Sequence, residues 1–254
     1  MLISHFEHGP VSAYPRDYLD SAHQPLHLHR EAQLLYAVSG IMRVVTDSGA
    51  WVIPPSRAVW IPPEVAHEIF MSGDVQMRSL FIAPELSPAG LQQCCVLAVT
   101  PLLRELILRA VQGPPHADNP LIQQLMLEEL AGLENLPLHI PMPTDRRLQN
   151  ICLALLHTPD HTNTLEDWAQ QVGASSRTLA RLFQQQVQMS FNAWRQQLRL
   201  MEALPRLLAG DSVQRVAQDL GYGSARAFSA MFRRLLGENP RDYLNTLSKL
   251  SELV

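Results

Sequence analysis

Two stretches near the C-terminal end of the chain repeat each other, and this repeat restricts the possible folds more than any other feature of the sequence. The first is LEDWAQQVGASSRTLARLFQQQVQMSFNAW (165–194), and the second is VQRVAQDLGYGSARAFSAMFRRLLGENPRDY (213–243). In both, apolar residues at helical spacing stand on either side of a glycine. The repeat therefore predicts two helix-turn-helix motifs, at about 164–186 and 212–235.

The ends of the predicted helices carry recognisable signals. Thr164 with Asp167 three residues later resembles a capping box, and Ser212 is a good N-cap residue. Gly173 and Gly221 stand where the first helix of each motif ends and the backbone needs a positive φ. These signals support the same helix boundaries as the repeat.

The second helix of each motif carries arginine on the face opposite its apolar residues. The polar positions are Ser176, Arg177, Thr178 and Arg181 in the first copy, and Ser224, Arg226, Ser229 and Arg233 in the second. A helix in the major groove uses such side chains to read base edges or to hold phosphates. We predict that these residues bind DNA. A helical bundle with a solvated arginine face is the alternative, and the tandem arrangement favours DNA binding.

The distribution of charge along the chain also points to DNA binding by the C-terminal part. Residues 1–143 hold seven arginines and 14 acidic residues, a net charge of −7, whereas residues 144–254 hold 13 basic and 10 acidic residues, a net charge of +3. Arginine supplies 19 of the 20 basic residues, and its guanidinium makes bidentate contacts with phosphate and guanine. Only the second part is expected to meet nucleic acid.

The first hundred residues show a different pattern. Six short apolar runs rich in Val, Ile, Tyr and Trp lie between Leu34 and Ile82, separated by Gly, Pro, Ser and Asp. Such runs predict a compact β-sandwich or barrel.

The chain has no run of 18 apolar residues, so we expect a cytoplasmic protein without a membrane partner. The cysteines, Cys94, Cys95 and Cys152, match no disulfide or zinc spacing and are expected to be buried thiols.

Two amphipathic helices are predicted after the β unit, PLLRELILRAVQG and NPLIQQLMLEELAGL. They are candidates for a homodimer contact, or they cover one face of the barrel. The following segment LPLHIPMPTD has three prolines and cannot sustain a helix, so it is expected to separate two domains. The predicted division is 1–100 for the β-barrel, 101–140 for the helices and linker, and 141–254 for the DNA-binding part.

The tandem motif resembles the DNA-binding domain of AraC/XylS-type transcription regulators over about residues 145–245. The stretches that carry the resemblance are FNAWRQQLRLMEALPRLLAGDSV and GYGSARAFSAMFRRLLGENPRDY. It implies two helix-turn-helix units joined by one long helix, with both recognition helices in successive major grooves. Three positions depart from the family pattern. Ala230 stands where arginine is common, Gln188 replaces a usual glycine, and Pro205 lies inside the linking helix, where it is expected to kink it.

The N-terminal part is similar to the cupin sensor domain that many members of this family carry. The cupin pattern has a histidine pair, a glutamate four residues later, a glycine seven further on, and a third histidine after a proline-containing turn. The matching positions are His27, His29, Gln33, Gly40 and His67. The expected fold is therefore α+β and multidomain, with a cupin-like β-barrel and helices followed by an all-α tandem helix-turn-helix domain.

Three interpretations of the histidines are open. They line the pocket of a small-molecule effector, they hold a divalent metal ion (Zn, Ni or Fe), or they form the metal centre of a cupin oxygenase or isomerase fused to a DNA-docking domain. The predicted pocket comprises His27, His29, Gln33, Tyr36, Trp60 and His67, and the metal ligands would be His27, His29 and His67. In one extended segment, alternation would put His29, Glu31 and Gln33 on the face of His27.

Replacement of the cupin glutamate by Gln33 removes a charged ligand, which lowers the expected metal affinity. Glu31 is a possible substitute at the wrong spacing. The chain has no glycine-rich phosphate loop, no GxSxG and no paired carboxylates suited to acid–base chemistry, so no catalytic residue is predicted. The sequence predicts a transcription regulator rather than an enzyme. Its expected partners are promoter DNA, a small-molecule effector, a second copy of the chain and, if it activates transcription, RNA polymerase.

Overall fold

The structure is a computed structural model that describes residues 2–3, 10–113, 119–136 and 138–251. The linker proline Pro137 lies outside the described residues. The chain divides into two compact units. The first comprises the described residues up to 138, except Ser48–Ala50, and those from Leu247 onward; the second comprises Ser48–Ala50 and residues 139–246.

The first unit is rich in β-structure, as the sequence predicts. Its strands are β1 (Leu2–Ile3), β2 (Val11–Tyr18), β3 (His23–Leu28), β4 (Ala32–Thr46), β5 (Gly49–Ile53), β6 (Arg57–Ile61), β7 (His67–Ile82) and β8 (Cys95–Ala98). Helices α1 (Pro101–Ala110) and α2 (Pro120–Ala131) follow, and then the short strand β9 (Asn135–Leu136).

The long strand β7 organises the sheet. β4 pairs with it antiparallel along nearly its full length, β3 pairs with its beginning and β2 with its end. The order continues from β4 through β6 and β8 to β9. Every residue from Ala32 to Val38 on β4 is buried, so both faces of this strand are covered.

The faces of β4 lie in different surroundings. Cross-strand partners point to the same face, so Leu34, Tyr36 and Trp60 share one face, which packs against α1 and α2. We call it the helix face. Gln33, Leu35 and Ala37 alternate with them along β4 and point to the second face, which we call the histidine face. α1 and α2 begin at N-caps of their own, Thr100 and Asn119, each followed by proline.

The second unit is helical. After the short strand β10 (His139–Pro141), its helices are α3 (Arg146–His157), α4 (Leu165–Gln171), α5 (Ser176–Val187), α6 (Phe191–Leu208), α7 (Val213–Asp219) and α8 (Ala225–Leu236). The last helix, α9 (Pro240–Ser251), belongs to this unit up to Thr246. Helices α4 with α5 and α7 with α8 form the two predicted motifs, and α6 is the linking helix. No helix in the described part of the chain combines the length and apolar character needed to span a membrane.

The predicted helix signals are confirmed. Thr164 and Asp167 form a reciprocal capping box at α4, and Ser212 caps α7. Gly173 and Gly221 have φ values of 65° and 73°. Side chains of Leu179, Phe183, Trp194, Phe228 and Phe232 lie fully buried in the core of this unit.

The departures from the family pattern are accommodated locally. Gln188, at the glycine position after α5, adopts the left-handed conformation with φ 56° and ψ 24°. The helix α6 is continuous from Phe191 to Leu208 and includes Pro205. Ala230 is exposed on α8.

Candidate functional sites

Three buried histidines meet on the histidine face. His27 lies on β3, His67 is its cross-strand partner at the start of β7, and His29 follows β3 directly. The ring centres of His27 and His29 lie 4.2 Å and 5.2 Å from that of His67. One ring nitrogen of each histidine lies within 4.8 Å of those of the other two.

A bend, rather than one extended strand, brings these residues together. β3 ends at Leu28, residues 30–31 form a bend after His29, and β4 begins at Ala32. The expectation that residues 27–33 alternate along one strand is therefore wrong. The bend turns His29 towards Gln33, whose side chain it contacts. Glu31 contributes its backbone carbonyl to His29, and its carboxylate is not among the described ligand atoms that converge.

All three rings use the same nitrogen to anchor themselves. Nδ1 of His27 lies 2.8 Å from the carbonyl oxygen of Pro25, Nδ1 of His29 lies 2.7 Å from that of Glu31, and Nδ1 of His67 lies 2.9 Å from that of Val65. A carbonyl oxygen only accepts hydrogen bonds, so each Nδ1 carries a proton and donates it. In a neutral ring, Nε2 is then the nitrogen with the free lone pair.

The three Nε2 atoms have different neighbours. Nε2 of His27 lies 3.0 Å from the amide nitrogen of Gln24, which donates to it. Nε2 of His29 lies 2.9 Å from Oε1 of Gln33, whose amide nitrogen is 3.4 Å from Oγ of Ser79. Nε2 of His67 is buried and has no hydrogen-bond partner in the described part of the chain. An unpartnered buried acceptor of this kind is costly unless a ligand contacts it.

Burial keeps two of the rings neutral. Desolvation, with smaller contributions from the neighbouring His27 and His29, lowers the pKa of His67 to about 3. Burial also lowers the pKa of His27. Near neutral pH both rings therefore present lone pairs.

The donor set fits a divalent transition-metal ion. Neutral imidazole nitrogens are ligands of Zn, Ni and Fe, and a second ring nitrogen bonded to a carbonyl is the usual support of a metal-binding histidine. Nε2 of His67 is buried and has no partner among the described residues, and one ring nitrogen of His67 lies within 4.8 Å of a ring nitrogen of each of the other two histidines. Gln33 adds an amide oxygen, which is a neutral and weaker ligand than a carboxylate.

The predicted pocket is only partly brought together. His27, His29, Gln33 and His67 meet on the histidine face, together with Phe81, whose ring lies 5.1 Å from that of His29. Tyr36 and Trp60 lie on the helix face, since Tyr36 is three residues from Gln33 along a strand and such positions alternate. Trp60 donates from Nε1 to the carbonyl of Leu91, 2.8 Å away.

The second site is the exposed face of α5 and α8. Arg177 and Arg181 on α5, and Arg226 and Arg233 on α8, are exposed. The buried residues of these helices are all apolar: Leu179, Phe183 and Val187 on α5, and Phe228, Met231 and Phe232 on α8. Ser176, Thr178 and Ser229 are half-buried on the same helices, and Ser224 is the N-cap of α8, where it accepts from the amide of Ala227. The structure thus separates the DNA-binding candidates from the core.

This face extends beyond the residues predicted from the sequence. Gln184 is exposed one turn after Ala180 and lines a cavity of about 510 Å³ together with the first turn of α6. Arg195 also lines the cavity. It donates to the carbonyl of Asn163 and lies over the ring of Phe191, and burial lowers its pKa.

Comparison with known proteins covers both sites. A family model described as an AraC-like ligand binding domain matches residues 8–131, and one described as a helix-turn-helix domain matches residues 168–246. The chain is 35% identical over 236 residues to the HTH-type transcriptional regulator NimR of Escherichia coli strain K12. This alignment covers 91% of this chain and 86% of NimR. The chain belongs to the AraC family of transcription regulators.

Other similar proteins are more distant in sequence. The arabinose operon regulatory protein of the same Escherichia coli strain is 29% identical over 127 residues, 48% of this chain and 42% of its own length. The solved structure of ToxT from Vibrio cholerae with a bound unsaturated fatty acid aligns over 95% of this chain and 97% of its own, with 11% identity and a TM-score of 0.40.

The AraC-family assignment gives each site its general role. The N-terminal unit, with the histidine cluster, is the ligand-binding domain, and the C-terminal unit is the DNA-binding domain. Gln24 was not predicted from the sequence, because an amide three residues before a histidine belongs to no known binding motif. Nor was Arg199, which is buried in the DNA-binding unit and donates to the carbonyls of Pro159 and His161.

Proposed function

We propose that this AraC-family regulator senses its effector at the histidine cluster and reads promoter DNA with α5 and α8. The observation that carries the sensing role is the convergence of three buried imidazoles whose Nδ1 atoms are all anchored to backbone carbonyls. Such anchoring holds the rings in fixed orientations, which a binding site requires. His27, His29, His67 and Gln33 are the proposed effector contacts.

The DNA-reading role rests on the exposed arginines. Arg177 and Arg226 are both near the N-terminus of their helix, which is the part of a recognition helix that contacts base edges. Arg181 and Arg233 lie about one turn further on, and Gln184 extends the face of α5. Ser176, Thr178, Ser224 and Ser229 supply hydroxyl donors for phosphate or base edges.

We further propose that the protein acts as a homodimer in the cytoplasm. Leu102 on α1 and Leu121 and Leu125 on α2 are 46%, 75% and 38% exposed, which supports an apolar contact there. A dimer presents four helix-turn-helix units to DNA, and RNA polymerase is a partner if the bound protein activates transcription.

A selection experiment tests DNA reading. Binding sites are first enriched from a random-sequence duplex library with the full-length protein. Arg177→Ala and Arg226→Ala are each expected to lose about 1–3 kcal/mol at the selected site. The matched control is Arg215→Ala on α7, where the guanidinium already pairs with Asp211 and Asp219. Equal losses on selected and random DNA would show that the two arginines contact phosphate only.

A reporter experiment tests sensing. A promoter carrying the selected site is placed before a reporter gene in cells that express the wild type, His67→Ala or His157→Ala. His157 is an exposed histidine on α3 and serves as the control. Altered reporter output with His67→Ala alone supports sensing at the cluster, and identical output from all three proteins contradicts it. The alternative of a metal-dependent oxygenase or isomerase requires substrate turnover that His67→Ala abolishes.

A further inference from the structure

We propose that the occupant of the histidine cluster is a divalent transition-metal ion, and that the side-chain amides of Gln24 and Gln33 compete with this ion for the ring nitrogens. The proposal rests on the proposed function in that it names the ligand of the sensing site. It concerns the residues that set the affinity of the cluster, which differ from the cupin pattern.

The anchoring of the rings determines which ligands the cluster accepts. Each Nδ1 proton is donated to a backbone carbonyl, so the neutral rings of His27 and His67 offer only lone pairs through Nε2. A carboxylate or phosphate would meet these lone pairs with its own and be repelled. A cation that prefers nitrogen ligands is attracted. Zn, Ni, Co and Fe meet this requirement, whereas Mg and Ca prefer oxygen.

The distances are close to those of a bound ion. Ligand nitrogens bound to one tetrahedral zinc ion at about 2.0–2.1 Å lie roughly 3.3 Å apart. The nitrogens of the cluster lie within 4.8 Å of one another. To bind one ion, the ring nitrogens therefore need to approach each other by about 1 Å. The rings lie beside a bend and at the ends of β3 and β7, where small shifts are permitted.

Gln33 is placed as a fourth ligand. Its Oε1 lies 2.9 Å from Nε2 of His29, about the separation of two neighbouring ligand atoms on one metal ion. When His29 donates from Nδ1 alone, Nε2 and Oε1 are both acceptors. The contact is satisfied if the ring carries a second proton, if the amide turns so that its N–H faces the ring, or if both atoms bind one cation. The turned amide would donate to His29 and accept from Ser79, and this arrangement competes with the ion.

Gln24 competes for the second ring. Its amide nitrogen donates to Nε2 of His27, the lone pair that the ion needs. Its Oε1 accepts from the hydroxyl of Tyr18, which in turn accepts from Nη1 of Arg16, at 3.1 and 3.3 Å. This chain of hydrogen bonds, from residues at the end of β2, holds Gln24 on His27. Metal binding must break the hydrogen bond between Gln24 and His27. The side chain of Gln24, which also bonds Tyr18, is then no longer fixed by His27.

The direct test is metal binding to the purified full-length protein without a polyhistidine tag. Zn²⁺ affinity is measured by competition with a chromophoric chelator, and Co²⁺ is added separately because its visible spectrum reports nitrogen ligation and coordination number. One ion per chain is expected for Zn²⁺ and Co²⁺, and none for Mg²⁺. His67→Ala is expected to weaken Zn²⁺ binding by more than about 100-fold, since loss of a supporting contact alone costs about 10–100-fold. His157→Ala is the control and should bind as the wild type does.

Two variants separate this proposal from a general histidine site. Gln24→Ala removes a competing hydrogen bond and no ligand, so Zn²⁺ should bind about 2- to 10-fold more tightly. Gln33→Glu supplies a charged ligand and should tighten binding by more than about 10-fold. A histidine cluster that binds metal without this competition would give unchanged affinity for Gln24→Ala. Near-ultraviolet circular dichroism before metal addition checks that each variant is folded.

The outcomes distinguish failure of this inference from failure of the sensing function. If the wild type binds neither Zn²⁺ nor Co²⁺ while His67→Ala alters reporter output, the cluster senses an organic effector and the metal proposal is wrong. If metal binds as described while reporter output ignores both His67→Ala and added Zn²⁺, the ion has a structural role only and the sensing proposal fails. Unchanged Zn²⁺ affinity in Gln24→Ala overturns the competition.

Discussion

The imidazole rings of His27 and His67 lie 4.2 Å apart because these residues are cross-strand partners on β3 and β7. The pairing of the strands shifts in register between Gln24 and His27, and this irregularity sets the position at which the rings meet. A short segment of backbone thus determines the geometry of the candidate sensing site. It also brings Gln24 within hydrogen-bond distance of His27.

Replacement of His67 by leucine should separate stability from sensing. The substitution removes a buried nitrogen that has no partner among the described residues, but it also leaves the carbonyl of Val65 without its donor. These effects oppose each other, so we expect the free energy of unfolding to change by no more than about 1 kcal/mol. Urea denaturation measures this change, and the reporter measures the response. Loss of response with retained stability is the expected result, and a normal response would contradict the assignment.

The two turn glycines offer a matched comparison within the repeat. A Cβ at Gly221 would lie 2.8 Å from the carbonyl oxygen of Asp160, whereas a Cβ at Gly173 meets no atom within 4 Å. Both residues have positive φ, so both alanine variants carry about 1 kcal/mol of backbone strain. Gly221→Ala is expected to cost about 1–3 kcal/mol more than Gly173→Ala. Equal urea midpoints would show that the Asp160 segment moves aside freely.

Arg199 is expected to stabilise the DNA-binding unit without contacting DNA. Its guanidinium donates to the carbonyls of Pro159 and His161 and lies over the ring of Tyr222. Arg199→Ala leaves two part-buried carbonyls without donors and removes a buried side chain from the core, so it should lower the free energy of unfolding by about 2–4 kcal/mol. The exposed Arg215→Ala is the control and should change it by less than about 1 kcal/mol. A urea midpoint for Arg199→Ala equal to that of the wild type would disprove this role.

The exposed leucine of α2 tests the proposed dimer. Leu121 is 75% exposed, so Leu121→Glu should leave the fold intact and convert the dimer to a monomer in sedimentation equilibrium. Leu106 packs partly against the core, and Leu106→Glu should instead lower thermal stability. A Leu121→Glu protein that remains dimeric would place the contact elsewhere.

The cysteines should resist thiol reagents while the protein is folded. Burial raises the pKa of Cys94 to about 12, that of Cys95 to about 11, and that of Cys152 still further. At pH 8 no more than roughly one Cys95 in a thousand is then a thiolate, the reactive form. Titration with a chromogenic disulfide should be slow in native protein, should accelerate as the pH rises, and should be rapid in denaturant. Cys95 and Cys152 are buried, as predicted, whereas Cys94 is half-buried. Rapid reaction of Cys95 or Cys152 at pH 8 in native protein would contradict the burial of that cysteine.

Much of the C-terminal unit could be predicted because its determinants are local. The capping box at Thr164, the left-handed glycines and the apolar spacing of α5 and α8 act over a few residues, and each is where the sequence indicates. The face with Arg177 and Arg226 follows from the same helical period. Gln184 could have been found from that period as well, since it continues the exposed face of α5.

The sensing site could be predicted only in part, because distant contacts form it. The sequence by itself determined the three histidines as candidates and the two-domain plan, since a spaced motif and a repeat are properties of the chain. Only the tertiary structure decided that the bend at 30–31 turns His29 onto Gln33 and that Tyr36 and Trp60 point to the other face of the sheet. Strand register and backbone carbonyl contacts fix ring orientation, and neither is encoded in residue spacing.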